Sequence, residues 1–125
     1  MTRRRTTVLI VDDHPAVLDA LRRLISEQID MDVIGTAGSV AESISLAEDL
    51  DPDIVLMDYQ LPDGTGAGAC ESIKQIRPTT KLIIVTRDDS SEARRAAEVA
   101  GANDFVDKSQ VGSHLLGAMR RAIAA

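Results

Sequence analysis

A single cysteine in 125 residues excludes an internal disulfide. Cys70 therefore reads as a small core residue on a helix, in a reducing, cytoplasmic setting. Long apolar runs are missing too: no stretch approaches the roughly 20 residues of a membrane-spanning helix. The opening segment, Met1 to Thr7, holds three arginines but no apolar h-region, so it is not a secretory signal. Residues 1–6 are expected to form a basic, solvated tail, and residues 7–125 one folded domain. The formal net charge of −6 argues against non-specific nucleic-acid binding by this chain. Its partners should be proteins. Internal repeats and linkers are absent, and a chain of this length buries about two thirds of its unfolded surface, enough for one core and too little for two.

What is present is an alternation of strand and helix periods. Val8 to Val11 is a continuous apolar run, and Val17, Leu21, Leu24 and Ile25 follow at helical spacing with Pro15 suited to a first turn. Val33-Ile34 makes a short second strand. Ser39 and Glu42 form a capping-box pattern ahead of Val40, Ile44 and Ala47, and Pro52 stops that helix. Ile54 to Met57 is a buried run, Leu61 to Gly68 a Pro/Gly loop, and Cys70, Ile73 and Ile76 mark a third helix ending before Pro78. After the fourth strand, Leu82 to Val85, Asp89 with Glu92 caps a helix whose inner face is only Ala93, Ala96, Ala97 and Ala100, and Gly101 supplies the stop. Such small side chains bury little area, so this helix should be loosely held. Phe105-Val106 is the fifth strand, and Val111, Leu115, Met119 and Ala122 face inward from the last helix. Continuous apolar strands between helices imply a parallel sheet covered on both faces. The expected fold is α/β, a flavodoxin-like (βα)5 three-layer sandwich with strand order 2-1-3-4-5.

Four of these five strands end at a chemically active residue: Asp12-Asp13, Asp58, Thr86 and, two residues past Val106, Lys108. In a parallel sheet those ends share one edge, where open α/β folds bind ligands. Three carboxylates, a hydroxyl and an ammonium then meet in one pocket. The acids repel one another unless positive charge joins them, and a divalent cation plus Lys108 balances three negative charges with three positive ones. The pocket reads as a Mg2+ site. Taken singly each residue has an ordinary role: Asp12-Asp13 as a helix cap, Asp58 in an Asx turn, Lys108 as a solvated charge. Their conjunction at successive strand ends decides for a site. His14 in an expected exposed loop and His114 on the last helix have no metal-ligand company at this level.

Val11-Asp12-Asp13-His14-Pro15, Met57-Asp58-Tyr59-Gln60-Leu61-Pro62-Asp63-Gly64, Val85-Thr86 and Gly101-Ala102 through Phe105 to Lys108 resemble the receiver domain of bacterial response regulators. The resemblance covers essentially the whole chain and is most similar to receivers attached to LuxR-type helix-turn-helix output domains. It implies that Asp58 accepts a phosphoryl group from the phosphohistidine of a sensor histidine kinase. It implies further that Asp13, Asp58 and the backbone carbonyl of Gln60 ligate Mg2+, with Asp12 acting through a water, and that Lys108 and Thr86 contact the phosphoryl oxygens. Thr86 and Phe105 would be the switch pair. The output surface, which could also form a homodimer, would be the fourth helix, fifth strand and fifth helix, with Glu92, Arg94, Arg95, Glu98, Arg120 and Arg121 available for charge pairing. The resemblance thus implies a signalling domain and not an enzyme, controlling transcription through a DNA-binding domain that this chain does not contain.

Two rivals are weaker. Gly64, Gly66 and Ala69 match G-x-G-x-x-A, yet the first glycine of a dinucleotide site belongs at the strand end, where Asp58 to Asp63 would repel a pyrophosphate. An aspartyl-phosphate hydrolase of the haloacid-dehalogenase type shares the chemistry but wants a second Asp two residues after the nucleophile, where Gln60 stands. Two positions depart from the receiver pattern. Arg87 follows the switch threonine where a small residue is usual, and Ser109 follows Lys108 where many receivers have proline.

Overall fold

The structure, a computed structural model, describes residues 4–125; Met1 to Arg3 of the expected tail lie outside the described residues. The elements are β1 (Thr6–Val11), α1 (Pro15–Ser26), β2 (Met31–Ala37), α2 (Val40–Leu50), β3 (Ile54–Met57), the two-residue strands β4 (Gln60–Leu61) and β5 (Gly64–Thr65), α3 (Gly66–Ile76), β6 (Lys81–Thr86), α4 (Ser91–Val99), β7 (Asp104–Asp107) and α5 (Leu116–Ala124). The main sheet runs β2-β1-β3-β6-β7, every pair parallel. With the small β4-β5 hairpin set aside, this is the expected order 2-1-3-4-5. Among the described residues no helix is long and apolar enough to cross a membrane.

Alternation along the strands divides the core in two. Val8, Ile10, Ile54, Leu56, Ile83 and Val85 point to one face, packed under α1 and α5 by Leu21, Ile25, Leu115 and Met119. Leu9, Val11, Val55, Met57, Leu82 and Ile84 point to the other, against Ala47, Cys70, Ile73 and Ala97. Burial on both faces is what makes these strands continuously apolar, and each large side chain so buried contributes about 1.5–3 kcal/mol.

Several local details differ from the sequence expectation. β2 is longer than Val33-Ile34 because it pairs along all of β1, from Thr6 with Met31 to Val11 with Ala37, across an irregularity at Val8/Leu9. The Leu61 to Gly68 loop is partly ordered as the β4-β5 hairpin, and α3 begins inside it at Gly66. The cap of α4 is Ser90, whose hydroxyl accepts from the Ala93 N–H at 3.2 Å; Asp89 does not fill that place. In α2 the Ser39 hydroxyl accepts from Glu42 N–H as expected, but the Glu42 carboxylate turns one residue further back, to the Gly38 N–H. Asp51, in the left-handed region at φ 47°, ends that helix just before Pro52. A 3-10 turn (Lys108–Gln110) and a π turn (Val111–Leu115) precede α5, so that Val111 is only half-buried while Leu115, Met119 and Ala122 are buried. The Lys108–Ser109 peptide bond is trans.

Only Ala93 and Ala97 of α4 are buried. Two alanine side chains hold a helix far less firmly than the Leu21 and Ile25 of α1. Native-state amide exchange should therefore show α4 opening at a lower free energy than α1 and the central strands, whose exchange should approach the global unfolding limit. Protection of α4 equal to that of β3 would contradict this.

Candidate functional site

Strand register assembles the pocket. Val11 is opposite Met57, so Asp12 and Asp58 leave neighbouring strands at the same level, and the Asp58 N–H donates to the Val11 carbonyl at 2.9 Å. Met57 is opposite Ile84, which puts Thr86 one residue beyond the level of Asp58; Thr86 is opposite Asp107, so Lys108 follows directly on the edge strand. The Lys108 side chain crosses β6 and sets its ammonium between the two acids, 2.7 Å from Asp12 Oδ2 and 3.2 Å from Asp58 Oδ2. Asp12 and Asp58 are buried; Asp13 is exposed at the rim. An open cleft of about 650 Å³ lies over them, lined by Asp13, Asp58, Gln60, Thr86, Arg87 and Lys108 among others.

Burial raises the cost of charge on both inner acids, with opposite net results. For Asp12, desolvation is outweighed by hydrogen bonds from Lys108 and from the backbone and ring of His14, and its carboxyl lies below the usual range. For Asp58, desolvation and then the neighbouring Asp12 charge prevail over Lys108, and its carboxyl is raised. One lysine does not compensate three carboxylates. The donor chemistry fits a divalent cation: ligand atoms of Asp12, Asp13, His14 and Asp58 all lie within 4.8 Å of one another, and hard carboxylate oxygens suit Mg2+.

The structure thus gathers Asp13, Asp58, Gln60, Thr86 and Lys108 around one cleft, with Asp12 buried against Lys108. The Thr86 hydroxyl accepts from the Asp88 N–H at 3.2 Å, which leaves its own proton free to donate. Phe105 lies outside this cleft, half-buried on β7 beneath the Arg94 guanidinium, 4.5 Å from the ring centroid.

Three contributors are not apparent in the sequence reading. His14, expected to be without company, has Nδ1 2.9 Å from Asp12 Oδ1 and 3.2 Å from Asp13 Oδ1. Gly66, read as half of an accidental glycine motif, packs its Cα against the phosphoacceptor candidate: a Cβ there would stand 2.1 Å from the Asp58 carbonyl oxygen. Asp63 accepts the Val40 and Ala41 N–H groups at 2.7 and 3.0 Å, tying the loop after β3 to the N-terminus of α2, and those bonds hold its carboxyl low. A capping acid 22 or 23 residues from its helix has no local signal. The glycine was visible as a glycine, but its reason is a tertiary contact.

A parallel sheet of this order with acids, a hydroxyl and a lysine at its carboxyl edge is the architecture of a receiver domain. Residues 8–120 match the response regulator receiver domain family, and the chain belongs to it. The DNA-binding transcriptional activator DevR/DosR of Mycobacterium tuberculosis is 36% identical over 113 residues, 90% of this chain and 52% of that protein. A LuxR-family two-component response regulator from Aurantimonas sp. superimposes with a TM-score of 0.92 at 32% identity, over 96% of this chain and 86% of that one. The response regulator domain of Thermotoga maritima CheB does so with a TM-score of 0.90 at 30% identity, over 98% of each chain. The chain spans about half the length of the curated relatives it matches. These relatives are signalling regulators, and the dehalogenase-type hydrolase alternative finds no support among them.

The raised Asp58 carboxyl has a consequence for stability. A folded-state value above the unfolded one gives stability that is fully present below the unfolded value near pH 4 and lost as pH rises through the folded value. Metal-free Asp58→Asn should accordingly melt about 2–6 °C higher than the wild type at pH 7, with the gap closing toward pH 4; a lower melting temperature at pH 7 would contradict the assignment. Asp12, held low, has the opposite sign, its stabilisation being lost as pH falls through its folded value. Gly66→Ala should destabilise by about 1–3 kcal/mol in urea unfolding, because the intruding methyl must push the Asp58 backbone away; an unchanged midpoint would mean the loop yields freely.

Proposed function

We propose that this chain is the phosphoacceptor module of a two-component response regulator, with Asp58 as the residue modified. The observation that carries the reading is the Lys108 ammonium bridging two buried carboxylates, Asp12 and Asp58, at the ends of neighbouring strands. An Asp58 carboxylate oxygen attacks the phosphorus of a kinase phosphohistidine; the P–N bond breaks, an acyl phosphate forms, and the imidazole leaves with its electron pair. Asp13, Asp58 and the Gln60 carbonyl would hold Mg2+, with Asp12 acting through a water. The bound ion supplies charge neutralisation for the phosphoryl oxygens. Lys108 moves from the acids to a phosphoryl oxygen and Thr86 donates its hydroxyl to another, so the chain positions and neutralises without a separate general base.

Output would pass through Thr86. Asp88 N–H donates to the Thr86 hydroxyl, Ser90 N–H to the Asp88 carboxylate, and Ala93 N–H to the Ser90 hydroxyl. A threonine drawn toward a phosphoryl group thereby pulls on the first turn of α4, and Phe105 turns inward as the β6–α4 loop moves. The face of α4, β7 and α5 is the surface that changes. On it Arg120 is already paired with Asp30 at 3.0 Å and Arg121 stands 3.7 Å from Asp104, so Glu92, Arg94, Arg95 and Glu98 carry the intermolecular charge pairing. That surface would bind a second receiver or an output domain; the DNA-binding character of relatives such as DevR/DosR supports transcriptional output through a domain outside these residues. The reading implies a cytoplasmic, non-enzymatic protein whose upstream partner is a sensor histidine kinase.

Incubation with acetyl phosphate and Mg2+ should raise the intact mass by one phosphoryl group, and Asp58→Asn should abolish the increase. Full labelling of that variant would refute the assignment. Asp13→Asn should weaken Mg2+ binding more than Asp12→Asn in a calorimetric titration, since only Asp13 is expected to touch the ion directly.

A further inference from the structure

We infer that the groove between α1 and the turns that follow β7 binds a small monocarboxylate with an apolar chain, its carboxylate paired with Arg87 and its chain laid against α1. The site is separate from the acidic cleft and does not depend on the phosphoacceptor reading.

The space has a local origin. Ala16 and Ala20, four residues apart on one face of α1, are exposed and too short to fill it, and Val17, Leu21, Val85 and Val111 complete an apolar wall. Opposite α1 the chain does not pass directly from β7 into an α-helix: the 3-10 turn (Lys108–Gln110) and the π turn (Val111–Leu115) intervene. Val111, expected to face inward, is therefore left half-buried on the groove. Such π turns are rare and occur frequently at functional sites. The groove measures about 560 Å³, within the range of about 300–1,000 Å³ usual for small-molecule sites, which are mostly apolar with a few placed polar groups.

Charge selects the headgroup. Arg87 lines the groove and is exposed, and among the described residues its guanidinium has no ion pair or hydrogen bond, whereas Arg120 and Arg121 are paired with Asp30 and Asp104. Lys108 is the second cation of the lining, but its ammonium is engaged with Asp12 and Asp58. It offers the groove its aliphatic stem, and its charge screens the groove from those acids. Asp107, the one acid of the lining, accepts the Ser109 N–H at 2.8 Å. Its negative charge disfavours a dianion such as a phosphate monoester. A carboxylate brings a single charge and meets a guanidinium with two parallel hydrogen bonds, and a neutral headgroup would leave Arg87 unmatched.

The test is an NMR titration of the metal-free, unphosphorylated chain at pH 7, following the methyl signals of Val17, Leu21, Val85 and Val111, with butanoate, hexanoate, octanoate and the neutral octanol as probes. Octanoate should shift these methyls saturably, and affinity should rise about three- to fourfold for each added methylene as the chain is buried. Arg87→Gln should weaken octanoate about tenfold or more and leave octanol unchanged; Ala20→Leu, a substitution on an exposed helix face, should weaken both by filling the groove. Octanoate affinity indifferent to Arg87, or octanol binding as tightly as octanoate, overturns the proposal. So do groove methyls that ignore octanoate but shift on addition of a sensor histidine kinase, which would make this face a protein-docking surface. None of these outcomes bears on phosphorylation of Asp58, which the intact-mass experiment tests separately.

Discussion

Two carboxylates buried side by side are the constraint around which this molecule is arranged. Neighbouring strands are about 4.8 Å apart, and two like charges at that spacing repel by a few kcal/mol even at an effective dielectric of about 20. Asp12 and Asp58 stand in that relation, and water does not solvate them freely. The Lys108 ammonium, touching both, makes the arrangement tolerable. It does not make it comfortable: the carboxyl of Asp58 remains raised while that of Asp12 is low. The asymmetry follows from what each acid touches, since Asp12 receives hydrogen bonds from His14 as well as the shorter contact with Lys108. The protein's own groups thus leave the site short of positive charge, which a divalent cation would supply.

Topology makes this pocket possible at little cost to the rest of the fold. In the order β2-β1-β3-β6-β7 the first and third main strands are neighbours whose connections leave in opposite directions, and the crevice between them opens at their carboxyl ends. The apolar cost is met below it, where both faces of the sheet are packed. Above it the chain around Asp58 is fixed from two sides. Gly66 lets α3 start against the Asp58 backbone, and Asp63 anchors the same loop on the amides of α2. The Asp58 carboxylate, held by its own strand, a helix start and a remote cap, is firmly positioned even though it opens a Pro/Gly segment.

What was legible in the sequence follows the same division. Strand-period and helix-period alternation is a local signal, so the (βα)5 order and the acids at strand ends could be read from residues alone. The pocket was legible because parallel strands bring their carboxyl ends together whatever the loops do. Less legible were features decided by distant partners. The full length of β2 depends on pairing with β1, and the role of Gly66 on the carbonyl of Asp58; the company of His14 is local, the carboxylates of the two residues before it, and needs only the geometry of that turn. The cap of α4 was misread by one residue because Asp89 and Ser90 are both good caps, and only the geometry of the turn that begins at Thr86 selects Ser90.

On the proposed reading, that turn is the route by which a charge at Asp58 would be felt on a remote face. The three hydrogen bonds from Thr86 through Asp88 and Ser90 to Ala93 join a buried strand end to a helix whose buried side chains are two alanines. Against movement α4 offers two buried alanines and the Arg94 guanidinium over Phe105, a contact worth about 0.5–1 kcal/mol at an exposed site. Coupling between sites typically amounts to about 1–3 kcal/mol, which exceeds that hold but is small beside the burial energy of Leu21 and Ile25 in α1. On the proposed reading a perturbation at the pocket would be expressed at α4 and β7, because the two buried alanines of α4 resist it less than the Leu21 and Ile25 of α1 do.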